Sequence, residues 1–285
     1  MSKLVIIGAG TMGHGIAQVA AMAGFATTLT DGVAEALPAA LERIQRNLHG
    51  GVTRGKFTAD YAEAAMGRLR VESEMESAVE GADLVIEAIV EDLPVKQELF
   101  STLDSMTGAN AILATNTSSL SVAAIAGATS RPDRVLGMHF FNPVHIMKLV
   151  ELVRHDETAD AVTDRVRDVA VRMGKEPIVV RDSPGFASSR LGVVLGLEAM
   201  RMVEQRVASA EDIDKALELG YGHPMGPLRV SDLVGLDVRL AIAEYLYKEL
   251  GDPHYEPPAL LRNKVAAGEL GKKTGKGFYK WPKTK

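Results

Sequence analysis

The stretch HFFNPVHIMKLVE, residues 139–151, sets two histidines and a glutamate among apolar, strand-forming residues. An ionisable group is costly in such a place unless it has a partner. If the two ends pair as an antiparallel hairpin turning about His145, His139 and Glu151 stand directly opposite, with Cβ atoms roughly 4.5–5.5 Å apart. A slip of one residue would send them to opposite faces of the sheet. Along its strand Glu151 would share a face with Met147 and Leu149, where His139 is the natural partner for its carboxylate. An imidazole with an unperturbed pKa of about 6.5 suits a general base, and a carboxylate behind it orients the ring and stabilises the imidazolium. This pair could take the hydroxyl proton of a secondary alcohol while its C–H leaves as hydride. His145, at the turn, is read as structural.

A second constellation is GAGTMG, Gly8–Gly13, which follows a β-branched run and opens an Ala-rich helix. In a strand–loop–helix of this kind the first glycine allows the tight turn, the second lets backbone approach a pyrophosphate, and the third lets helix and strand pack closely. Gly8, Gly10, Thr11, Met12 and Gly13 are therefore expected to hold a dinucleotide at the helix N-terminus, where unpaired N–H groups face the phosphates. Asp31, eighteen residues beyond Gly13, falls where a carboxylate accepts hydrogen bonds from an adenosine ribose, which favours NAD over NADP. TNTSS, after the apolar run Ala111–Thr115, would lie at the carboxyl end of a strand, where open α/β sheets bind ligands. Ser118 is the candidate to bond the substrate oxygen, and Asn116 to face the nicotinamide. Arg54 and Lys56, in GVTRGKF, could meet the phosphates of a substrate or form a solvated charged turn.

The elements that must position these residues alternate. The run Leu4–Ile7, a helix over 12–22 and a strand over 25–30 make one βαβ unit. A helix over 33–49 and a charged amphipathic stretch to Val79 follow. Next come a strand over 84–88, a helix over 94–106 and a strand over 111–115. Further strands are expected at 135–140, 148–153 and 177–181, with a helix over 158–173. Such alternation predicts an α/β fold of the Rossmann type: a doubly wound, mostly parallel sheet covered on both faces. After Arg181 the strands stop. DSPGF offers Ser183 as an N-cap and Pro184 at the first helical position of a long helix. SAEDIDKALELG repeats the start signal, with Ser209 and Asp212 spaced as a capping box and Gly220 as the stop. The chain is thus read as two domains, 1–183 binding the nucleotide and 184–285 all-helical. GYGHPMGPL, 220–228, reads as a buried loop in which His223 is structural.

Composition narrows the function classes. With 285 residues, 46% hydrophobic and 24% charged, the chain has the make-up of a soluble globular protein, and a net charge of −5 offers no attraction for nucleic acid. The absence of cysteine excludes disulfides, thiolate metal sites and cysteine nucleophiles. Leu4–Thr30 carries no Asp, Glu, Lys or Arg, yet its glycines and threonines suit a buried strand–turn–helix better than a membrane span of about 20 residues. The start of the chain lacks the regions of a signal peptide, which points to the cytoplasm. No metal site and no membrane partner are expected.

Taken together, GAGTMGHGIA, IEAIVEDLPVKQELF, TNTSSL, HFFNPVHIMKLVE, DSPGF, HPMGP and GKKTGKGFY resemble the 3-hydroxyacyl-CoA dehydrogenase family, close to its bacterial short-chain members, over nearly the whole chain. The resemblance implies a Rossmann domain followed by a helical domain that usually forms a homodimer. It also implies reversible NAD-linked oxidation of an (S)-3-hydroxyacyl-CoA. By the same resemblance Glu91, Lys96, Asn142 and Lys273 contact the cofactor, His139 and Glu151 are the catalytic pair, and Ser118 is the site serine. One position departs from the pattern: GFASSRL places Ser189 where many members carry an active-site asparagine. Two other readings compete, a dehydrogenase of this fold acting on a free hydroxy or sugar acid, and a catalytically silent NAD-binding protein.

Overall fold

The structure is a computed structural model and describes residues 1–282. The first half alternates as expected: β1 Lys3–Ile7, α1 Gly13–Met22, β2 Ala26–Thr30, α2 Ala36–Thr53, α3 Ala59–Gly67, β3 Leu69–Val71, α4 Met75–Val79, β4 Leu84–Glu87, α5 Leu93–Met106 and β5 Ile112–Thr115. Then come α6 Val122–Ala126, β6 Val135–Phe140, β7 Leu149–Arg154, α7 Asp160–Arg172 and β8 Glu176–Arg181. Only helices follow: α8 Ser188–Glu204, α9 Ala210–Tyr221, α10 Pro227–Val234, α11 Leu236–Leu250 and α12 Ala259–Ala266. The chain divides into two compact units, Met1–Ser183 and Pro184–Lys285.

The eight strands form one sheet in the order β3-β2-β1-β4-β5-β6-β7-β8. All neighbours run parallel except β6 and β7. Buried side chains alternate along β1, β4 and β5 between two apolar layers, while the outer strands β3 and β8 are part-buried or exposed. Leu4, Ile6, Leu29, Leu84 and Ile86 join one layer with α1, α2 and α7, and Val5, Ile7, Val85 and Leu113 join the other with α4 and α5. A sheet covered on both faces explains why its strands read as continuous apolar runs. The helical unit has its own core, built on Val193, Leu197, Met200, Leu236, Ala243 and Leu246.

Five local expectations differ from the structure. The charged stretch before Val79 contains a strand, β3, whose three residues are part-buried or exposed and so lack an apolar run. The helix predicted over 33–49 runs from Ala36 to Thr53. The long helix begins at Ser188, not at Pro184, because Gly185 and Phe186 adopt positive φ angles of 74° and 48°. Neither is helical backbone. Helix α9 runs past Gly220 and ends at Gly222, whose φ of 72° supplies the left-handed cap. The loop after it is exposed at Tyr221–Pro224, His223 included, where burial was expected.

Candidate active site

The phosphate loop joins β1 to α1, and its glycines differ in what surrounds them. A Cβ on Gly13 would stand 1.6 Å from the Gly8 carbonyl oxygen, and one on Gly8, at φ 104°, would stand 2.5 Å from the Ala88 carbonyl. These two hold the loop against the sheet. A Cβ on Gly10 meets nothing within 4 Å, so the space in front of this glycine is open, as backbone approach by a phosphate requires. Thr11 is exposed and Met12 part-buried. Asp31 follows β2 immediately and turns back to the loop, accepting hydrogen bonds from Ala9 N at 2.6 Å and Val33 N at 2.8 Å.

The β6–β7 hairpin pairs His139 with Glu151 in register, as the spacing predicts. His139 Nδ1 lies 2.8 Å from Glu151 Oε2, with 7% of the histidine and none of the glutamate exposed. An ionised carboxylate can only accept, so Nδ1 carries the proton of this bond. The Phe141 ring stacks at a tilt on His139, centroids 4.6 Å apart. Met147 falls outside β7 and is exposed, so the apolar surroundings of Glu151 come from the sheet and not from that neighbour. Asn142 lies exposed on the turn. Asn116 Oδ1 accepts from Phe140 N at 2.9 Å, which ties the end of β5 to the end of β6, beside His139.

The carboxyl ends of β4 and β5 carry a second network, and its central residue escaped the sequence reading. Glu87, the last residue of β4, is fully buried. It accepts from Lys96 Nζ at 2.5 Å, Ile89 N at 2.7 Å and Thr115 Oγ1 at 2.7 Å. Lys96, 1% exposed, also faces Glu91 at 3.4 Å. Glu91 Oε1 in turn accepts from Thr117 Oγ1 at 2.6 Å, Ser118 N at 2.9 Å and Ser118 Oγ at 3.2 Å. Burial pushes the Glu91 carboxyl up, but the Thr117 hydroxyl, the Lys96 charge and the Ser118 N–H together hold it below the ordinary value. The signal for Glu87 was there to find: it is an acid at the end of a four-residue apolar strand.

Arg54 and Lys56 are exposed just beyond α2. Burial, followed by the charges of His14, Lys175, Lys56 and Arg54, lowers the pKa of His145, so the turn histidine sits in a field of cations. In the helical unit, Ser189 is the second residue of α8 and part-buried. Lys273 is exposed and bonds Asp237 at 2.6 Å. Of the lysine-rich tail, Lys283 and Lys285 lie outside the described residues. Among the described residues no group of histidines and carboxylates is arranged to hold a metal ion, and no helix is long and apolar enough to cross a membrane.

Residues 3–183 match the 3-hydroxyacyl-CoA dehydrogenase NAD binding domain, and residues 185–281 match the C-terminal domain of the same family. The chain belongs to the 3-hydroxyacyl-CoA dehydrogenase family. A probable 3-hydroxybutyryl-CoA dehydrogenase of Bacillus subtilis is 45% identical over 279 residues, 98% of this chain and 97% of that protein. The crystal structure of (S)-3-hydroxybutyryl-CoA dehydrogenase from Ralstonia eutropha superposes with a TM-score of 0.95 at 40% identity, covering 99% of this chain and all of that one. A diketoreductase described as acting on dicarbonyl compounds is more distant, with a TM-score of 0.87 at 31% identity over 99% of both chains. Membership of the family agrees with the two halves seen here, a Rossmann sheet followed by helices.

Proposed function

We propose that the protein is an NAD-dependent dehydrogenase of short-chain (S)-3-hydroxyacyl-CoA esters, 3-hydroxybutyryl-CoA in particular, with His139 as base and Glu151 as its orienting partner. The buried 2.8 Å contact between these two side chains carries the reading. NAD, when bound, supplies the hydride acceptor. The open face of Gly10 and the carboxylate of Asp31 fit its pyrophosphate and adenosine ribose, and Thr11, Met12, Asn116, Asn142, Glu91, Lys96 and Lys273 are assigned to its remaining contacts. Lys96 would act from inside the sheet edge, through Glu91, because its ammonium is already held by Glu87.

With Nδ1 committed to Glu151, Nε2 takes the hydroxyl proton as the C3–H bond breaks and the C3 carbonyl forms. Glu151 stabilises the imidazolium so produced, and the reverse reaction returns the proton. Ser118 and Ser189 bond the substrate oxygens, and Arg54 and Lys56 meet the CoA phosphates. A homodimer is assigned to the helical unit, where Leu191, Leu195, Leu219 and Tyr221 are each exposed apolar side chains, 42–83%.

The test is loss of NADH absorbance on addition of acetoacetyl-CoA. His139→Ala and Glu151→Gln should each lower kcat by about 10²–10⁴-fold with NADH affinity nearly kept. No turnover with any 3-oxoacyl-CoA overturns the reading. The likeness to a diketoreductase described as acting on dicarbonyl compounds favours one competitor, a dehydrogenase of this fold acting on a free hydroxy or sugar acid. Equal rates on acetoacetate and on its CoA ester would establish that alternative.

A further inference from the structure

Lys175 is a buried cation that the proposed chemistry does not use. It follows α7, is 6% exposed, and sends its ammonium under the turn that joins β6 to β7. There Nζ donates to the carbonyl of Val144 and, at 2.8 Å, to that of Met147. Among the described residues no carboxylate pairs with it, and burial alone lowers its pKa to about 8. The neighbouring acid, Glu176, faces Lys148 instead.

The turn it holds is the one that carries Asn142 and links His139 to Glu151. Its other attachment is Val144, whose side chain fits against α1 where Gly15 leaves room: a Cβ on Gly15 would stand 2.9 Å from Val144 Cβ. Apolar packing does not complete the seat. A cavity of about 340 Å³ lies against the turn, lined by Val19, Met22, Tyr61, Met173 and Lys175 among others. Without the ammonium the Val144 and Met147 carbonyls would lose this donor, and the turn would lose its inner anchor. We propose that Lys175 is a positioning residue for the dehydrogenase: bonded to the Val144 and Met147 carbonyls, it fixes the 141–148 turn that carries Asn142 and closes the His139–Glu151 hairpin, against α1. A long aliphatic stem through apolar packing with a donor at its tip suits this task.

The inference rests on the proposed dehydrogenase activity, and two variants with two readouts separate the failures. In Lys175→Met, NADH affinity measured by fluorescence should weaken and kcat should fall by up to about 10²-fold, the scale of a small misplacement near the chemistry, while the KM for the CoA ester changes little. The pH profile in the oxidation direction gives the second readout. Charge-assisted bonds are about twice as strong as neutral ones, so kcat should fall as pH rises through about 8. That limb should vanish in Lys175→Arg, which stays charged. The other titratable groups near the turn are His14, His145, Arg54, Lys56, Lys148 with Glu176, and Arg172. Tyr61 also faces the space beside the turn, and burial holds the His145 imidazole below its usual range. A folded Lys175→Met with wild-type NADH affinity and kcat overturns the inference. Should Lys175→Met not fold, an alkaline limb unchanged in Lys175→Arg overturns it instead. If the wild type itself turns over no CoA ester, the dehydrogenase reading fails, and NADH affinity alone still decides the role of Lys175.

Discussion

Gly10 and Gly13 belong to one loop, yet the same substitution should separate them. Gly13→Ala must displace the Gly8 carbonyl, 1.6 Å from the added carbon. The expected outcome is a large drop in Tm or no soluble protein. Gly10→Ala meets nothing within 4 Å, so thermal stability should change by no more than about 0.5 kcal/mol, while NADH binding measured by calorimetry should weaken. Equal losses in both variants would mean that the open face of Gly10 has no ligand to receive. At this scale the sequence was legible wherever residue type and spacing carry the information, as they do for the glycines and for the facing positions of His139 and Glu151. For Glu87 the signal lay in its place at the close of an apolar strand. The sequence was silent on Lys175, a charged residue between two elements, where solvent exposure is the ordinary expectation and only the fold reveals that it points inward.

At the scale of elements, charge inside the sheet edge is kept by pairing. Glu87→Gln would leave Lys96 buried with only the outer carboxylate of Glu91, and breaking a buried pair costs about 3–5 kcal/mol. A fall in Tm of matching size, with Lys96→Met on the same background restoring part of it, is the expected result. A second pairing fastens the C-terminal segment, where Glu269 bonds Lys276 and, at 2.9 Å, Lys264. The Lys276 and Lys264 bonds hold the Glu269 carboxyl down to about 2, against an ordinary 4.5. Because the folded pKa is the lower one, this contribution is complete above pH 4.5 and is lost as pH falls from there to about 2. Titration of the Glu269 carboxyl resonance by NMR should show a midpoint near the lower value. Element boundaries were the least legible feature. Pro184 is a sound helix-start signal, but the left-handed backbone at Gly185 and Phe186 moves the start to Ser188. Strand β3 is too short and too exposed to leave an alternating pattern.

For the whole molecule, the succession of a doubly wound sheet by helices alone was legible in the sequence through its change from alternating elements to helices. What spacing could not foretell is how the proposed substrate serine is bonded within the protein. Glu91 accepts the Ser118 hydroxyl and the Ser118 and Thr117 donors at one oxygen, so the Ser118 proton is directed to Glu91. A nucleotide that recruits Glu91 would release that hydroxyl for the acyl-CoA. The kinetic consequence is a compulsory order, nucleotide first. Product-inhibition patterns should be competitive between NAD and NADH, and acyl-CoA should bind measurably tighter in calorimetry once NADH is present. Random addition with equal acyl-CoA affinity in both states would mean that Ser118 is released by some other route. The carboxylate that steadies the 117–118 loop would thus also decide the sequence in which its two ligands arrive.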